Sequence, residues 1–293
     1  MLEVRARAKI NWTLDILGKR EDGYHELDML MQSITLSDTL QLSRANQLSM
    51  VIGRGIRVWP NEDNLVMRAA RALQAHAGVA RGAEICLSKH IPVGAGLGGG
   101  SADAAGVLVG LNALWGLGLP VEELAAIGLE IGADVPFCLY GGLRRARGVG
   151  EVLEPLPFGR ALWLVIIQPC RGLSTRNVFA AFNAQDINPA TRPRNDLAAQ
   201  ALAAGDVALL TGAMGNVLEP VAAALRPEIH EALGRLRQAG AIAAQMTGSG
   251  SAVYGLFPGP KAAKAAAEAL RQQYRTCRLA CTVDAGVALC QSD

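Results

Sequence analysis

Between residues 94 and 100 the chain carries five glycines, in the run Pro92-Val93-Gly94-Ala95-Gly96-Leu97-Gly98-Gly99-Gly100-Ser101, and an apolar helical segment, 102–114, follows at once. Glycine lets a backbone take positive φ and approach a ligand closely. A helix start adds unpaired N–H groups and the positive end of the helix dipole. Together these make an anion cradle, and the anion that suits so long a stretch of backbone is a phosphate chain. A bare glycine connection between strand and helix is the competing reading, weakened because ordering free backbone costs about 1–2 kcal/mol per residue.

Gly94, Gly96 and Gly99 formally satisfy G-x-G-x-x-G. A dinucleotide site also needs a second strand ending in an acidic residue about 20 positions on. Here Trp115-Gly116-Leu117-Gly118-Leu119-Pro120 and another helical segment stand in that place, and the dinucleotide reading falls. The chain holds no Gly-Lys-Ser/Thr of a P-loop, and neither His-Arg-Asp nor Asp-Phe-Gly of a protein kinase.

Composition limits the alternatives. The 293 residues suffice for two domains, and 51% hydrophobic against 18% charged residues excludes disorder as a description of the whole. A balance of 28 Lys plus Arg against 26 Asp plus Glu supplies no basic field for nucleic acid, and five Phe, four Trp and four Tyr are too few for a broad base-stacking platform. No signal-like apolar core follows the first charges, and the longest apolar stretch, 161–167, is far shorter than the roughly 20 residues of a membrane-spanning helix. A soluble, cytoplasmic chain without nucleic-acid or membrane partners is expected. The cysteines at 86, 138, 170, 277, 281 and 290 match no zinc spacing, and the four histidines are remote from them, so buried thiols are expected.

Val4, Ala6, Ala8, Ile10 and Trp12 alternate with Arg5, Arg7, Lys9 and Asn11, the period of a strand with one buried face. After a turn at 18–23, alternating sequence continues to about Met50. Helices are predicted over 64–76, with a cap at Asn61 or Asp63, and over 121–131; a strand over 83–88; and a hairpin region over 141–150, with a domain boundary near 152. Beyond it come a strand at 162–168, a proline-bearing loop at 188–194, and helices near 196–211, 216–224 and 228–239. Strand 242–246, the turn Thr247-Gly248-Ser249-Gly250-Ser251, strand 252–257, helix 261–274 and strand 279–285 complete a mixed α+β chain. On their own, Asp134 reads equally as a turn or capping aspartate, and Lys9 as a solvated strand lysine.

The loop from Pro92 to Ala102, together with Thr247-Gly248-Ser249-Gly250, resembles the glycine-rich phosphate loop and the third motif of the GHMP kinases. Lys9-Ile10-Asn11, Asp22-Gly23-Tyr24-His25, Glu62-Asp63-Asn64-Leu65 and Gly132-Ala133-Asp134-Val135-Pro136 resemble, in order, the branch whose acceptor is a sugar alcohol joined through a diphosphate to cytidine. The resemblance implies a two-domain α+β fold, an S5-like N-terminal domain over 1–152 and a ferredoxin-like C-terminal domain over 153–293 that completes the acceptor site. It implies ATP and Mg²⁺, direct transfer to a hydroxyl, and a monomer or homodimer.

By the same resemblance Asp134 is the base and Lys9 the catalytic lysine. Pro92, Val93, Gly94, Ala95, Gly96, Leu97, Gly98, Gly99, Gly100, Ser101 and Ala102 would hold the phosphates, with Asn64 and Lys89 beside the adenine and Ser101 near the metal. Asn11 and His25 would bind the acceptor, with Thr175 beside it and Tyr24 and Phe179 on the two faces of the cytosine. The 247–251 turn is expected nearer the acceptor than ATP. Asp103 would repel phosphates if aimed at them, and is expected to face solvent or the metal.

Overall fold

The computed structural model describes residues 1–187 and 189–290; Asn188, where the proline-bearing loop is expected to begin, lies outside the described residues. The first half runs β1 (Leu2–Lys19), β2 (His25–Ala45), β3 (Leu48–Gly55), α1 (Leu65–Ala77), β4 (Gly82–Lys89), α2 (Gly99–Trp115), α3 (Val121–Ile131), α4 (Val135–Tyr140), β5 (Leu143–Gly148) and β6 (Val152–Pro155). The second half runs β7 (Trp163–Ile167), α5 (Thr175–Ala181), α6 (Asn195–Ala204), α7 (Val207–Ala213), β8 (Gly215–Asn216), α8 (Glu219–Leu225) and α9 (Glu228–Gln238). It ends with β9 (Ala243–Met246), β10 (Val253–Phe257), α10 (Pro260–Leu270), β11 (Cys277–Cys281) and β12 (Ala288–Cys290).

The alternation read in the N-terminal segment builds the first sheet. β1 and β2 form a long antiparallel hairpin with Lys19 opposite His25, and the central path of the sheet is β12-β1-β2-β4-β3. Val4, Ala6, Ala8, Ile10 and Trp12 are wholly buried, as the period of two predicts. The opposite face departs from the pattern, because Lys9 and Asn11 are buried too: the Lys9 amide donates to the Leu97 carbonyl at 3.0 Å, and the Asn11 amide to Thr247 Oγ1 at 3.1 Å.

α2 crosses this sheet closely. At Gly106 and Gly110 an added Cβ would come within 2.7 Å and 2.8 Å of Leu40 and Leu42 side-chain carbons, so glycine at i and i+4 sets the helix down on the sheet. That contact fixes where the start of α2 points. β5 pairs with β2, and the β5–β6 hairpin carries the first sheet past 152 to Pro155.

The second sheet is antiparallel, in the order β11-β7-β10-β9, with α9 and α10 packed on it. The two sheets interlock, since β12 returns to pair with one edge of β1 and the short β8 pairs in parallel with β1 at Thr13 and Leu14. Arg145 on β5 grips both Asp28 oxygens, at 2.8 Å and 2.6 Å, while Asn195 on α6 donates to the Asp28 carbonyl at 3.1 Å.

Several boundaries differ from the expected ones for local reasons. The predicted helix over 196–211 breaks at Gly205, whose φ is +69°, and Asp206 caps the next helix through the Leu209 amide at 2.9 Å. α1 is capped by Asn64, neither by Asn61 nor by Asp63. The short α5, capped by Ser174, lies in a stretch where no helix was expected. Cys138 and Cys277 are buried, the other cysteines are half-buried, and all are free. Among the described residues no helix is long and apolar enough to cross a membrane.

Candidate active site

The glycine loop folds by alternation. Ala95 and Leu97 are buried in the core, while Gly94, Gly96 and Gly98 take φ of +64°, +76° and +68°, a region closed to most side chains. Gly98 caps α2, and the first intrahelical bond runs from the Ala102 amide to the Gly98 carbonyl at 2.8 Å. The helix therefore starts at Gly99, earlier than the sequence indicates. The amides of Gly99, Gly100 and Ser101 have no intrahelical acceptor, and the Ser101 hydroxyl belongs to the same turn. Pro92 is buried at the loop's entrance, Val93 and Gly100 are exposed, and Ala102 is buried beneath.

Lys9 and Asp134 meet under this loop. The Lys9 amide donates to the Leu97 carbonyl at 3.0 Å, and its ammonium lies 2.7 Å from Asn11 Oδ1 and 3.9 Å from Asp134 Oδ2. A Cβ at Gly98 would stand 3.0 Å from Lys9 Cγ and 3.8 Å from Asp134 Oδ2, so the loop passes directly against the pair. The Lys9 side chain is 6% exposed and that of Asp134 34%; the ammonium is held from behind and the carboxylate is open to a ligand. Asp134 sits at the start of α4, where Pro136 occupies the first turn.

The 247–251 turn joins both. It accepts from the Asn11 amide and donates to Asn11 Oδ1 from the Gly248 amide at 3.1 Å, and Thr247 Oγ1 lies 3.4 Å from the Gly96 carbonyl. The Ala252 amide donates to the Ala95 carbonyl at 3.1 Å, and a Cβ at Gly96 would run into the Thr247 carbonyl. The turn thus presses on the glycine loop as well as on Asn11. Asn11, expected to bind the acceptor, is wholly enclosed, and its oxygen accepts from the Lys9 ammonium and the Gly248 amide. Asn216, which sequence reasoning missed, holds the turn from beneath by donating to the Met246 and Gly248 carbonyls at 3.1 Å and 2.8 Å. An Asn inside the apolar run 215–218 was the available signal.

From the turn a contact chain reaches the aromatic residues. Ser249 Oγ and Thr175 Oγ1 are 2.9 Å apart, and Thr175 opens α5, which carries Phe179. The His25 ring lies 5.3 Å from that of Phe179 and 6.0 Å from Phe182, a neighbour sequence reasoning missed. Burial pushes the His25 imidazole below its ordinary range, and the Lys19 charge acts in the same direction, so the ring is neutral at neutral pH. Tyr24 is 65% exposed at the hairpin tip beside it.

On the nucleotide side two expected residues are otherwise engaged. Lys89 is buried and its ammonium is bound by Asp38 at 2.6 Å and Asp103 at 2.7 Å. Asp103, expected toward solvent or a metal, points inward to this pair, because the buried Lys89 ammonium offers it a partner there. Asp38 also accepts the backbone amides of His90 and Ile91, so the three charges fasten the strand end that leads into the loop. Asn64 spends its oxygen on the Val66 amide and its amide group on the Trp59 carbonyl, both at 3.0 Å.

Two family models match the chain: the GHMP kinases N terminal domain over residues 64–142 and the GHMP kinases C terminal over 198–276. Relatives from Alkaliphilus metalliredigens (41% identical, 95% of each chain) and Pelotomaculum thermopropionicum (46% identical, 91% of this chain and 93% of the other) are both named 4-diphosphocytidyl-2-C-methyl-D-erythritol kinase. A crystal structure of 4-(cytidine 5'-diphospho)-2C-methyl-D-erythritol kinase superposes with a TM-score of 0.83 at 38% identity, covering 96% of this chain and 98% of that one.

Proposed function

The chain belongs to the 4-diphosphocytidyl-2-C-methyl-D-erythritol kinases within the GHMP kinases, and from that premise we propose that it moves the γ-phosphoryl group of ATP to the 2-hydroxyl of 4-diphosphocytidyl-2-C-methyl-D-erythritol, as a cytoplasmic enzyme of the non-mevalonate route to isoprenoids. The observation that carries this reading is the convergence of Lys9, Asp134 and the positive-φ glycine loop at one point. Phosphoryl transfer asks a protein chiefly for positioning and for stabilisation of charge, and these three parts divide that work.

The 2-hydroxyl approaches the open carboxylate of Asp134, which accepts its proton as the oxygen bonds to the γ-phosphorus. The bond from that phosphorus to the β–γ bridging oxygen breaks, and ADP leaves. Lys9, braced by Asn11, offers its ammonium to the charge that builds on the transferred group. The amides of Gly99, Gly100 and Ser101 hold phosphate oxygens at the dipole's positive end, within the loop that runs from Pro92 to Ala102.

Mg²⁺ fits this donor set. Among the described residues no group of three or more His, Cys, Asp or Glu is arranged to hold a metal, and Mg²⁺ commonly takes one or two protein oxygens and fills its other positions with phosphates and water. The Ser101 hydroxyl is the protein oxygen proposed for it, and the ion when bound neutralises phosphate charge. Phe179 and Tyr24 would close on the cytosine, with the neutral His25 and Thr175 as hydrogen-bonding groups; residues 1–152 would carry ATP and the catalytic pair, and 153–293 would complete the acceptor site. A coupled assay with ATP and this acceptor tests the reading. Asp134→Asn is expected to lower kcat by about 10²–10⁴-fold with an unchanged melting temperature, and near wild-type turnover would remove Asp134 as the base.

A further inference from the structure

We propose that Tyr254 and Gln245 are positioning residues for the phosphoryl transfer, which set from the second sheet the strand run that carries Lys9 and Asn11; the inference rests on the kinase reading above. That run, Lys9-Ile10-Asn11, is set apart in β1 by two breaks in its register with β2, one between Arg7 and Lys9 and one between Asn11 and Thr13. Such breaks free a strand from its ladder and re-aim its side chains, and they are common beside active sites. At the first break the Lys9 amide donates to the Leu97 carbonyl of the glycine loop at 3.0 Å. At the second, Trp12 stands opposite no β2 residue, and the carbonyls on either side of it find donors in the second sheet. The Tyr254 hydroxyl donates to the Asn11 carbonyl at 2.8 Å, and the Gln245 amide lies 3.2 Å from both the Asn11 and the Trp12 carbonyls.

Tyr254 and Gln245 face each other across β10 and β9, in the hairpin whose tip is the 247–251 turn. One hairpin therefore holds Asn11 from several sides: the tip takes its amide and its side-chain oxygen, and the rung behind the tip takes its carbonyl. Tyr254 is wholly buried, with its ring edge-on to that of Trp12 at 5.7 Å. Burial, and after it the Glu219 charge, pushes the phenol well above its ordinary range, so the hydroxyl keeps its proton and stays a donor. A buried hydroxyl or amide costs stability unless it is hydrogen-bonded, and a phenylalanine would fill the same apolar place without that cost. Both polar side chains spend their donors on one peptide of the run. Since Asn11 Oδ1 orients the Lys9 ammonium at 2.7 Å, and that ammonium stands 3.9 Å from Asp134, a turn of the Asn11 peptide shifts the cation against the carboxylate.

The test is steady-state kinetics on the full chain with ATP and the acceptor. Tyr254→Phe removes the hydroxyl and keeps the ring; kcat is expected to fall about tenfold, with both KM values within about twofold of wild type. Gln245→Leu should act in the same direction and less strongly, because Tyr254 still holds the Asn11 carbonyl. An Asn11→Ala background separates positioning from stability. There Lys9 has already lost its brace, so adding Tyr254→Phe should lower kcat by less than about twofold further, while its effect on melting temperature persists. An equal loss of kcat in both backgrounds would overturn the inference, as would wild-type kcat in Tyr254→Phe. Failure of the wild-type protein to phosphorylate the acceptor would sink the kinase reading instead. Amide hydrogen exchange still decides the clamp in that case: faster exchange at Lys9 and Asn11 in Tyr254→Phe is expected, with none at Val4 and Ala6, and unchanged exchange at Lys9 and Asn11 would overturn it.

Discussion

Asn11 has one side-chain oxygen, and Lys9 Nζ at 2.7 Å, the Gly248 amide at 3.1 Å and Thr247 Oγ1 at 3.5 Å all converge on it. Its job is to hold two things in register, the ammonium that faces Asp134 and the turn that closes over the site. Asn11→Ala would leave a buried amide and a buried ammonium short of a partner, at a cost of about 1–3 kcal/mol in stability. Because Lys9 would lose its orientation, kcat is expected to fall about a hundredfold, while the acceptor KM stays near that of the wild type. A large rise in acceptor KM at constant kcat would instead assign Asn11 to direct substrate contact. That Lys9 and Asn11 share one face was legible in the alternation of the strand, while the roles expected of them came only from the resemblance. Their enclosure was not, since the glycine loop lies on Lys9 and residues 247–251 on Asn11, and no local pattern near residue 9 announces either.

At the scale of elements, α2 and β4 are fastened together by Lys89, Asp38 and Asp103. The helix and the strand were legible in the sequence, but the helix starts at Gly99 and not at Ala102, and Asp103, expected outward because phosphates would repel it, turns inward to Lys89. Glycine propensity is the reason: Gly99 and Gly100 read as loop, yet the Gly98 cap and the sheet contact at Gly106 and Gly110 pull them into the helix. Lys89→Ala would leave two buried carboxylates without their cation, and a loss of about 3–5 kcal/mol is expected from breaking such a pair on one side.

Asp103→Asn behaves differently. Burial, reinforced by the Asp38 charge, holds the Asp103 carboxyl well above the usual carboxylate range even against the pull of Lys89. A carboxyl whose folded pKa is raised contributes stability below its unfolded value and loses that contribution as pH rises through the folded value. The melting temperature of Asp103→Asn should therefore gain on the wild type as pH rises above about 4, measured by thermal melts across the acid-to-neutral range. A gap that narrows with rising pH would contradict the assignment.

On the scale of the whole molecule, the site exists only where the two sheets interlock. β8 and β12 extend the first sheet from the second half, and the Gly96–Thr247 approach brings the glycine loop and the 247–251 turn into van der Waals contact. Both motifs stood out in the sequence as glycine-serine runs, but their contact joins residues far apart in the chain, which neither periodicity nor spacing encodes. Gly96→Ala probes that contact. The substitution carries two separable penalties: a φ of +76° that costs an L residue about 1–2 kcal/mol, and a methyl driven into the backbone carbonyl of Thr247, which cannot rotate aside. Gly116→Ala supplies the control, because its φ is +66° and a Cβ there would meet nothing within 4 Å. Both variants should lose a similar increment of melting temperature from backbone strain. Only Gly96→Ala should push the 247–251 turn off the glycine loop, take the Gly248 amide away from Asn11 and lower kcat by about tenfold or more. Equal activity in the two variants would mean that closure of the second half onto the phosphate loop is not what aligns Lys9 with Asp134.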